Sequence, residues 1–305
     1  MGDDPFEEHS PRRSENLSDR VKSQSRAIKP NCFERHNPSP YPAIKFFSAD
    51  AISAGFSFQV FDRPQKPKGA HIMKSIVKCT DLCMNYGAKA ALDGVNLELP
   101  SEKIIGLLGP NGSGKTTFLK ILAGILTPTS GSAAICGMPP SAETKAIVSY
   151  LPDRTFFDRG MKIGDYTALF SDFYTDFNPD CARGMLSDLG VSENLKLGTL
   201  SKGTAEKVQL TLVLARRAKL YLLDEPIGGV DPASRDFILN NILKSYAPHA
   251  TVIISTHLIR DVEDILDGYI FLREGHVIGS GDVKQAREAS GKTLNEMFME
   301  VFRWY

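Results

Sequence analysis

Eight consecutive residues carry the strongest chemical signal in this chain. Gly109-Pro110-Asn111-Gly112-Ser113-Gly114-Lys115-Thr116 fits the pattern G-x-x-x-x-G-K-[ST]. Its glycines let the backbone turn tightly, so that main-chain N–H groups face a chain of phosphates. The helix expected from Lys115 to Ala123, with Thr117 in its first turn, aims the positive end of its dipole at the same anion. Lys115 adds a mobile charge for the β- and γ-phosphates, and the Thr116 hydroxyl is a hard oxygen ligand for Mg2+. The plain alternative is a glycine-rich loop with an incidental lysine. The apolar run Lys103 to Leu108 before the loop and the helical stretch after it argue against that, because a phosphate loop joins a strand to a helix. Further on, the apolar run Leu220 to Leu223 ends in Asp224-Glu225. At the carboxyl end of a buried parallel strand, two acids reach a ligand crevice. Asp224 can hold Mg2+ through its water shell, and Glu225 can act as general base on a water. An acidic, solvated loop after a strand is the alternative reading of this pair on its own.

The elements that must position these groups alternate between strand and helix from Lys74 onward. Val95 to Leu99, Lys103 to Leu108, Ala133 to Cys136, Ile147 to Leu151, Leu220 to Leu223 and Thr251 to Ser255 read as strands. The fully apolar ones suit strands buried on both faces of a parallel sheet. Helix is expected over 163–198, broken at Asn178-Pro179 and Gly190, then from Lys202 to Arg217 and from Pro232 to Tyr246, with Asp231 as N-cap. Tyr269 to Leu272 and Val277 to Ile278 flank a hairpin turn, and a final helix runs to the C-terminus. On it Leu294, Met297, Phe298, Val301, Phe302 and Tyr305 share one apolar face, read chiefly as packing on the domain's own surface. The expected fold is α/β: a P-loop NTPase-type, mostly parallel sheet flanked by helices, with an antiparallel β part and an inserted helical subdomain at about 155–218.

Composition narrows the function classes. Thirty-six basic residues balance 36 acidic ones, so no nucleic acid partner that depends on bulk charge is expected. No run approaches the length of a transmembrane helix, and the acidic first residues lack the apolar core of a secretory signal. Five scattered cysteines read as buried free thiols in a reducing cytoplasm; Cys79 and Cys83 lack a second pair at zinc spacing. Residues 1–72 are proline-rich and polar and are expected to be a disordered leader, or a spurious one if translation starts at Met73. Within them, the alternation from Ile52 to Val60 has strand periodicity. The ATPase domain is expected over 73–305.

Residues 74 to 305 resemble the ATP-binding subunit of ABC transporters. The phosphate loop and the Asp224-Glu225 pair fit that family, and four further features carry the likeness. Leu200-Ser201-Lys202-Gly203-Thr204 resembles the family signature, Gly229-Val230-Asp231 its D-loop, His257 its switch histidine, and Tyr86 the aromatic that stacks on adenine. The resemblance implies ATP and Mg2+ as ligands and two such chains packed head to tail with ATP between them. Ser201 and the Gly203 N–H would then contact the γ-phosphate held by the other chain, and His257 would bridge that phosphate to the opposite D-loop at Asp231. Ser201 could equally cap its helix, the two roles being compatible. Two departures stand out: Lys202 and Thr204 replace Gly and Gln in the signature, and Asp153, after Ser149-Tyr150-Leu151-Pro152, replaces the Gln that senses Mg2+. Asp153 is charged and acceptor-only, and could itself ligate Mg2+. Lys202-Gly203 resembles the exporter-type branch whose permease is a separate polypeptide. The implied function is the ATP-hydrolysing motor of a membrane exporter, at the cytoplasmic face through its permease. The alternatives are a soluble ABC ATPase and a switch that binds ATP but scarcely hydrolyses it. The aromatics after Asp153, from Phe156 to Phe177, are read as a docking groove for the permease or as the small core of the helical part.

Overall fold

The computed structural model describes residues 75–154 and 156–303, without the side chains of residues 232–234, 244 and 245. The expectations for residues 1–72, including the Ile52–Val60 alternation, and for Tyr305 lie outside the described residues.

Two sheets enclose one helix. In the smaller, β1 (Val77–Tyr86) pairs antiparallel with β2 (Lys89–Leu99) on one side and with a later strand, Ser130–Ile135, on the other. Period-2 alternation turns Val77, Cys79, Val95, Leu97 and Leu99 inward, and a bulge between Cys79 and Leu82 brings Leu82 to the same side. The larger sheet contains β3 (Ile104–Leu108). Continuing along the chain, α1 (Lys115–Leu122) leaves the phosphate loop, β4 is the Ser130–Ile135 strand, α2 (Ala142–Ile147) leads into β5 (Val148–Leu151), and β6 (Leu220–Asp224) and β7 (Thr251–Thr256) lie in the centre. With β8 (Gly268–Arg273) and β9 (His276–Asp282), the larger sheet runs β5-β6-β7-β3-β8-β9, all parallel except β9. Central strands β3, β6 and β7 are buried along their whole length, as a sheet covered on both faces requires.

Alternation sorts these strands between two cores. Ile105, Leu107, Leu222 and Ile253 face α1 and the small sheet. Ile104, Leu108, Leu223 and Ile254 face the helices on the other side. Those helices are α5 (Lys202–Leu214), α6 (Pro232–Ser245), α7 (Ile259–Val262), α8 (Val283–Ser290) and α9 (Leu294–Val301). The intervening α3 (Ile163–Phe173) and α4 (Pro179–Asp188) build a third core with one face of α5, around Phe157, Tyr166, Phe170, Phe177, Leu186 and Leu212.

The structure corrects four expectations. A capping box at Ser141 and Thr144 starts α2, so the strand expected from Ile147 begins at Val148. Helix α5 stops at Leu214 rather than Arg217; Asn178 N–H already donates to Ala215 O, and Arg217 N–H to Asp176 O. The final helix is two, because Gly291 closes α8 in a left-handed conformation and a capping box at Thr293 and Glu296 opens α9. Of the four cysteines described, all free, only Cys79 is buried, and burial pushes its thiol up to about 12.

Helix α9 packs on its own domain. Leu294 is fully buried, and Met297, Phe298 and Phe302 lie against the second core, with Phe298 and Phe302 edge-on to Phe271. Val301, on the same expected face, is exposed. Leu294→Ala is therefore expected to cost about 2–5 kcal/mol. Thermal melting should fall by roughly 2–4 °C per kcal/mol, while Val301→Ala should leave the melt nearly unchanged.

Candidate nucleotide site

Parallel neighbours point their carboxyl ends to one edge of the sheet, and that edge carries the chemistry. The phosphate loop follows β3, Asp224 ends β6, and His257 follows β7, with β6, β7 and β3 side by side. Sequence-distant groups thus meet without any one element being unusual.

The loop is tightly braced. A Cβ on Gly109 would lie 2.2 Å from the Leu272 carbonyl oxygen, and one on Gly114 (φ 108) would lie 2.4 Å from that of Ala91. Only glycine allows β8 and β2 to approach this closely. The turn after β8 adds a clamp, where Gly275 N–H donates to Ser113 O at 3.0 Å. Lys115 is buried and folds back, donating to Gly109 O at 2.8 Å and Pro110 O at 3.1 Å. Its Nζ lies 3.4 Å from Glu225 Oε1. Burial lowers the Lys115 pKa, and the charges of Glu225 and Asp224 oppose that shift.

Asp224, 1% exposed, is the centre of the site. Ser255 Oγ donates to its Oδ1 at 2.5 Å and Thr116 Oγ1 to the same oxygen at 3.2 Å. Its other oxygen, Oδ2, is buried with no hydrogen-bond partner. One carboxylate oxygen held by hydroxyls and one left over, next to a threonine hydroxyl, suits a hard cation such as Mg2+. Among the described residues no cluster of three His, Cys, Asp or Glu side chains could hold a metal alone. Mg2+ itself usually takes one or two carboxylates plus phosphate and water. The charge of Asp153 acts on Asp224, so this residue stands near the same point.

Glu225 sits in a left-handed backbone conformation (φ 48), an uncommon one for a glutamate, held by its N–H to Ser255 O at 3.1 Å and Oγ at 3.0 Å. The turn carries its carboxylate to His257, whose Nδ1 is 3.2 Å from Oε1 and 3.1 Å from Oε2. Lys115, Thr116, Asp224, Glu225 and His257 are thus brought together. Tyr86, 49% exposed, ends β1 on the hairpin whose β2 strand abuts Gly114. Ser201 and Asp231 have local hydrogen bonds. Ser201 caps α5, accepting from Thr204 N–H at 3.2 Å and sharing a 2.8 Å hydroxyl contact with Thr204. Exposed Asp231 accepts from Arg235 N–H through its carbonyl at 3.0 Å. Sequence reasoning missed Ser255, which ties Asp224 to Glu225. Its signal was a polar residue ending an apolar strand at the carboxyl edge.

Fold and site define an ATP-binding cassette, and comparison with known proteins agrees. The family model described as "ABC transporter" matches residues 92–228. An ABC transporter ATP-binding protein of Methanocaldococcus jannaschii, MJ1023, is 30% identical over 217 residues, 70% of this chain and 79% of that one. The Nod factor export ATP-binding protein I of Burkholderia orbicola is 30% identical over 64% of this chain and 67% of its own. A solved ATP-binding subunit of an ABC transporter superposes with a TM-score of 0.67 at 23% identity, covering 75% of this chain and all of that one. A bacterial Atm1-family ABC exporter with ATP bound gives 0.63 at 20% identity, over 79% of this chain and 44% of that one. The chain belongs to the family of ABC transporter ATP-binding proteins.

The buried carboxylate has a cost that can be measured. Burial raises the Asp224 pKa; the Ser255 and Thr116 hydrogen bonds lower it, and Asp153 and Glu225 raise it further. A folded pKa above the unfolded one adds stability below the unfolded carboxylate pKa and loses it as pH rises through the folded value. At neutral pH the ionised group therefore destabilises the free protein. Asp224→Asn keeps an acceptor for both hydroxyls and removes the charge. Melting of the free variant at pH 7 should rise by about 2–4 °C, taking a gain of about 1 kcal/mol. The difference should shrink as pH is lowered toward the carboxylate range.

Proposed function

We propose that this chain is the ATP-hydrolysing motor subunit of an ABC membrane exporter, working with a second ATPase subunit and a separate permease. The observation that carries this reading is the convergence of Lys115, Thr116, Asp224, Glu225 and His257 on one sheet edge. Asn111 to Thr117 offer main-chain N–H groups of the loop and of the first turn of α1 to the phosphates. Lys115 leaves its carbonyl partners for the β- and γ-phosphates. Thr116 and Asp224, with Asp153 beside them, hold Mg2+, which when bound neutralises charge on the phosphate oxygens. Glu225 orients a water and takes its proton, and His257 holds the Glu225 carboxylate from the other side. Tyr86 offers an exposed ring to the adenine base. Ser201 and the Gly203 N–H, at the open start of α5, serve the nucleotide of the second subunit, and Asp231 meets that subunit's switch histidine. The exporter reading is supported by the Lys202-Gly203 signature and by a relative named for Nod factor export. Among the described residues no helix is long and apolar enough to cross a membrane, so the permease supplies the attachment.

Glu225→Gln keeps the side chain's shape but removes the base. Equilibrium binding of ATP should be unchanged while phosphate release slows by about 100-fold or more. Turnover at the wild-type rate would remove Glu225 from this role.

The aromatic stretch after Asp153 divides into two parts. Phe157, Tyr166, Phe170 and Phe177 fill the third core, whereas Phe156 and Phe173 are 58% and 64% exposed. Phe157 belongs with the core rings, because it stacks on Tyr166. Phe156 is the docking anchor for the permease on the loop that follows Asp153. Phe156→Ala should melt like the parent chain but lose co-purification with the permease. Phe157→Ala should instead destabilise the fold by about 3–5 kcal/mol in a thermal or denaturant melt.

A further inference from the structure

Strand β5 leads into Asp153, and one of its side chains has no role in the site so far described. Parallel pairing sets Tyr150 beside Leu222 of β6. Both pack into the core layer that contains α1. Side chains two apart on a strand share a face, so Asp224 lies on that same face, one step nearer the carboxyl edge. Tyr150 therefore reaches toward the metal-holding end of β6 from inside the layer that also carries Thr116.

Its hydroxyl is enclosed within reach of the Asp224 carboxylate and makes no hydrogen bond of ordinary geometry. Six buried side-chain atoms are in that position among the described residues, and three belong to this edge: Tyr150 Oη, Asp224 Oδ2 and Ser113 Oγ of the phosphate loop. A buried polar atom left unsatisfied is costly, and native proteins keep few of them. Tyr150 Oη and Asp224 Oδ2, on one face of adjacent strands, point to a shared polar partner. Tyr150 stands close enough to Asp224 for that carboxylate to act on its hydroxyl, and a phenol hydroxyl can both donate and accept. Asp224 Oδ2 can only accept, and water satisfies both kinds of group.

We propose that Tyr150 is a positioning residue of the cation site, its hydroxyl hydrogen-bonding the water shell of the Mg2+ held at Thr116 and Asp224. This rests on the Mg2+–ATP reading above. It gives the strand that leads into Asp153 a link to the cation through the Tyr150 hydroxyl. Phenylalanine at this position would keep the packing and lose the link.

The test compares the full chain with Tyr150→Phe by thermal shift, using a non-hydrolysable ATP analogue in EDTA and then in graded MgCl2. The expected result has three parts. The free variant melts at or above the parent, because an unsatisfied hydroxyl has been removed. Stabilisation by the analogue in EDTA is equal in the two proteins. The MgCl2 concentration that gives half of the further stabilisation rises about five- to tenfold in the variant, as loss of one hydrogen bond to a neutral water predicts. An unchanged MgCl2 midpoint would overturn the proposal. So would an equal drop in melting temperature with and without ligand, since that is the mark of a purely structural hydroxyl. A parent protein whose melting ignored both analogue and Mg2+ would overturn the nucleotide reading itself, a result distinct from either.

Discussion

The ionised side chain of Asp224, sealed from water at the end of a central strand, is the constraint on which the site depends. A buried carboxylate is tolerated only where hydrogen bonds or opposite charge compensate it. Here the compensation comes from two separate stretches of chain. Thr116 belongs to the first turn of α1, Ser255 to the end of β7, and Lys115 contributes its charge. Each can reach Asp224 only if β6, β7 and β3 are adjacent and parallel, so strand order and site chemistry impose the same demand. Ser255 also receives the Glu225 N–H, which fixes the next residue in its left-handed turn. One buried charge thereby sets the position of the proposed metal ligand, the proposed base and, through Glu225, the histidine that faces it.

A second buried charge joins the helical part to the sheet. Arg216, just past the end of α5, is 3% exposed. Its guanidinium donates to both Asp176 oxygens at 3.0 and 3.1 Å, to Val148 O at 2.6 Å and to Ala146 O at 2.8 Å, and it lies 3.8 Å from the centre of the Tyr174 ring. Asp176 and Tyr174 lie in the connection between α3 and α4, whereas Val148 begins β5. Removing one partner of such a pair leaves a buried charge uncompensated, at about 3–5 kcal/mol. The two cores are therefore fastened at the amino end of β5. The other end of this short strand carries Tyr150 and leads to Asp153 and Phe156. A four-residue strand held firmly at its base brings the region around Asp224 and the exposed ring of Phe156 within a few residues of each other.

Local patterns were legible in the sequence wherever a single stretch contained its own reason. The phosphate loop is one: strand, glycines, lysine and helix follow one another, and Gly109 and Gly114 are explained by close backbone approach. The buried strands were also readable, because a run such as Leu220 to Leu223 suits only a sheet covered on both faces. What escaped depended on contacts between distant segments. Phe156 and Phe157 are neighbours of one chemical type, yet one is exposed and the other stacks on Tyr166, a division set by the fold of α3. Helix α2 is too short for periodicity to reveal, and its signal was the capping pair Ser141 and Thr144. Ser255 and Tyr150 read as ordinary strand residues until parallel register placed Ser255 beside Asp224 and Tyr150 beside Leu222, on the same face as Asp224.

The signature illustrates the opposite limit, where the chain's own packing does not account for a residue. A Cβ on Gly109 or Gly114 would strike backbone, so these glycines are required from within. At Gly203 a Cβ would meet nothing within 4 Å, and no left-handed backbone demands glycine there. Gly184, half-buried on α4, is equally unconstrained, so open space alone assigns no role. Position separates the two. Gly203 lies in the first turn of α5, where main-chain N–H groups lack partners within the helix and Ser201 satisfies only the one belonging to Thr204. Lys202 next to it extends into solvent with a long 3.8 Å contact to Glu206 as its ion pair. A helix start that combines free N–H groups, an exposed cation and a residue without a side chain is suited to an anion arriving from outside the chain. This is the geometry that an ATP shared between two copies, or between this chain and a related one, would use.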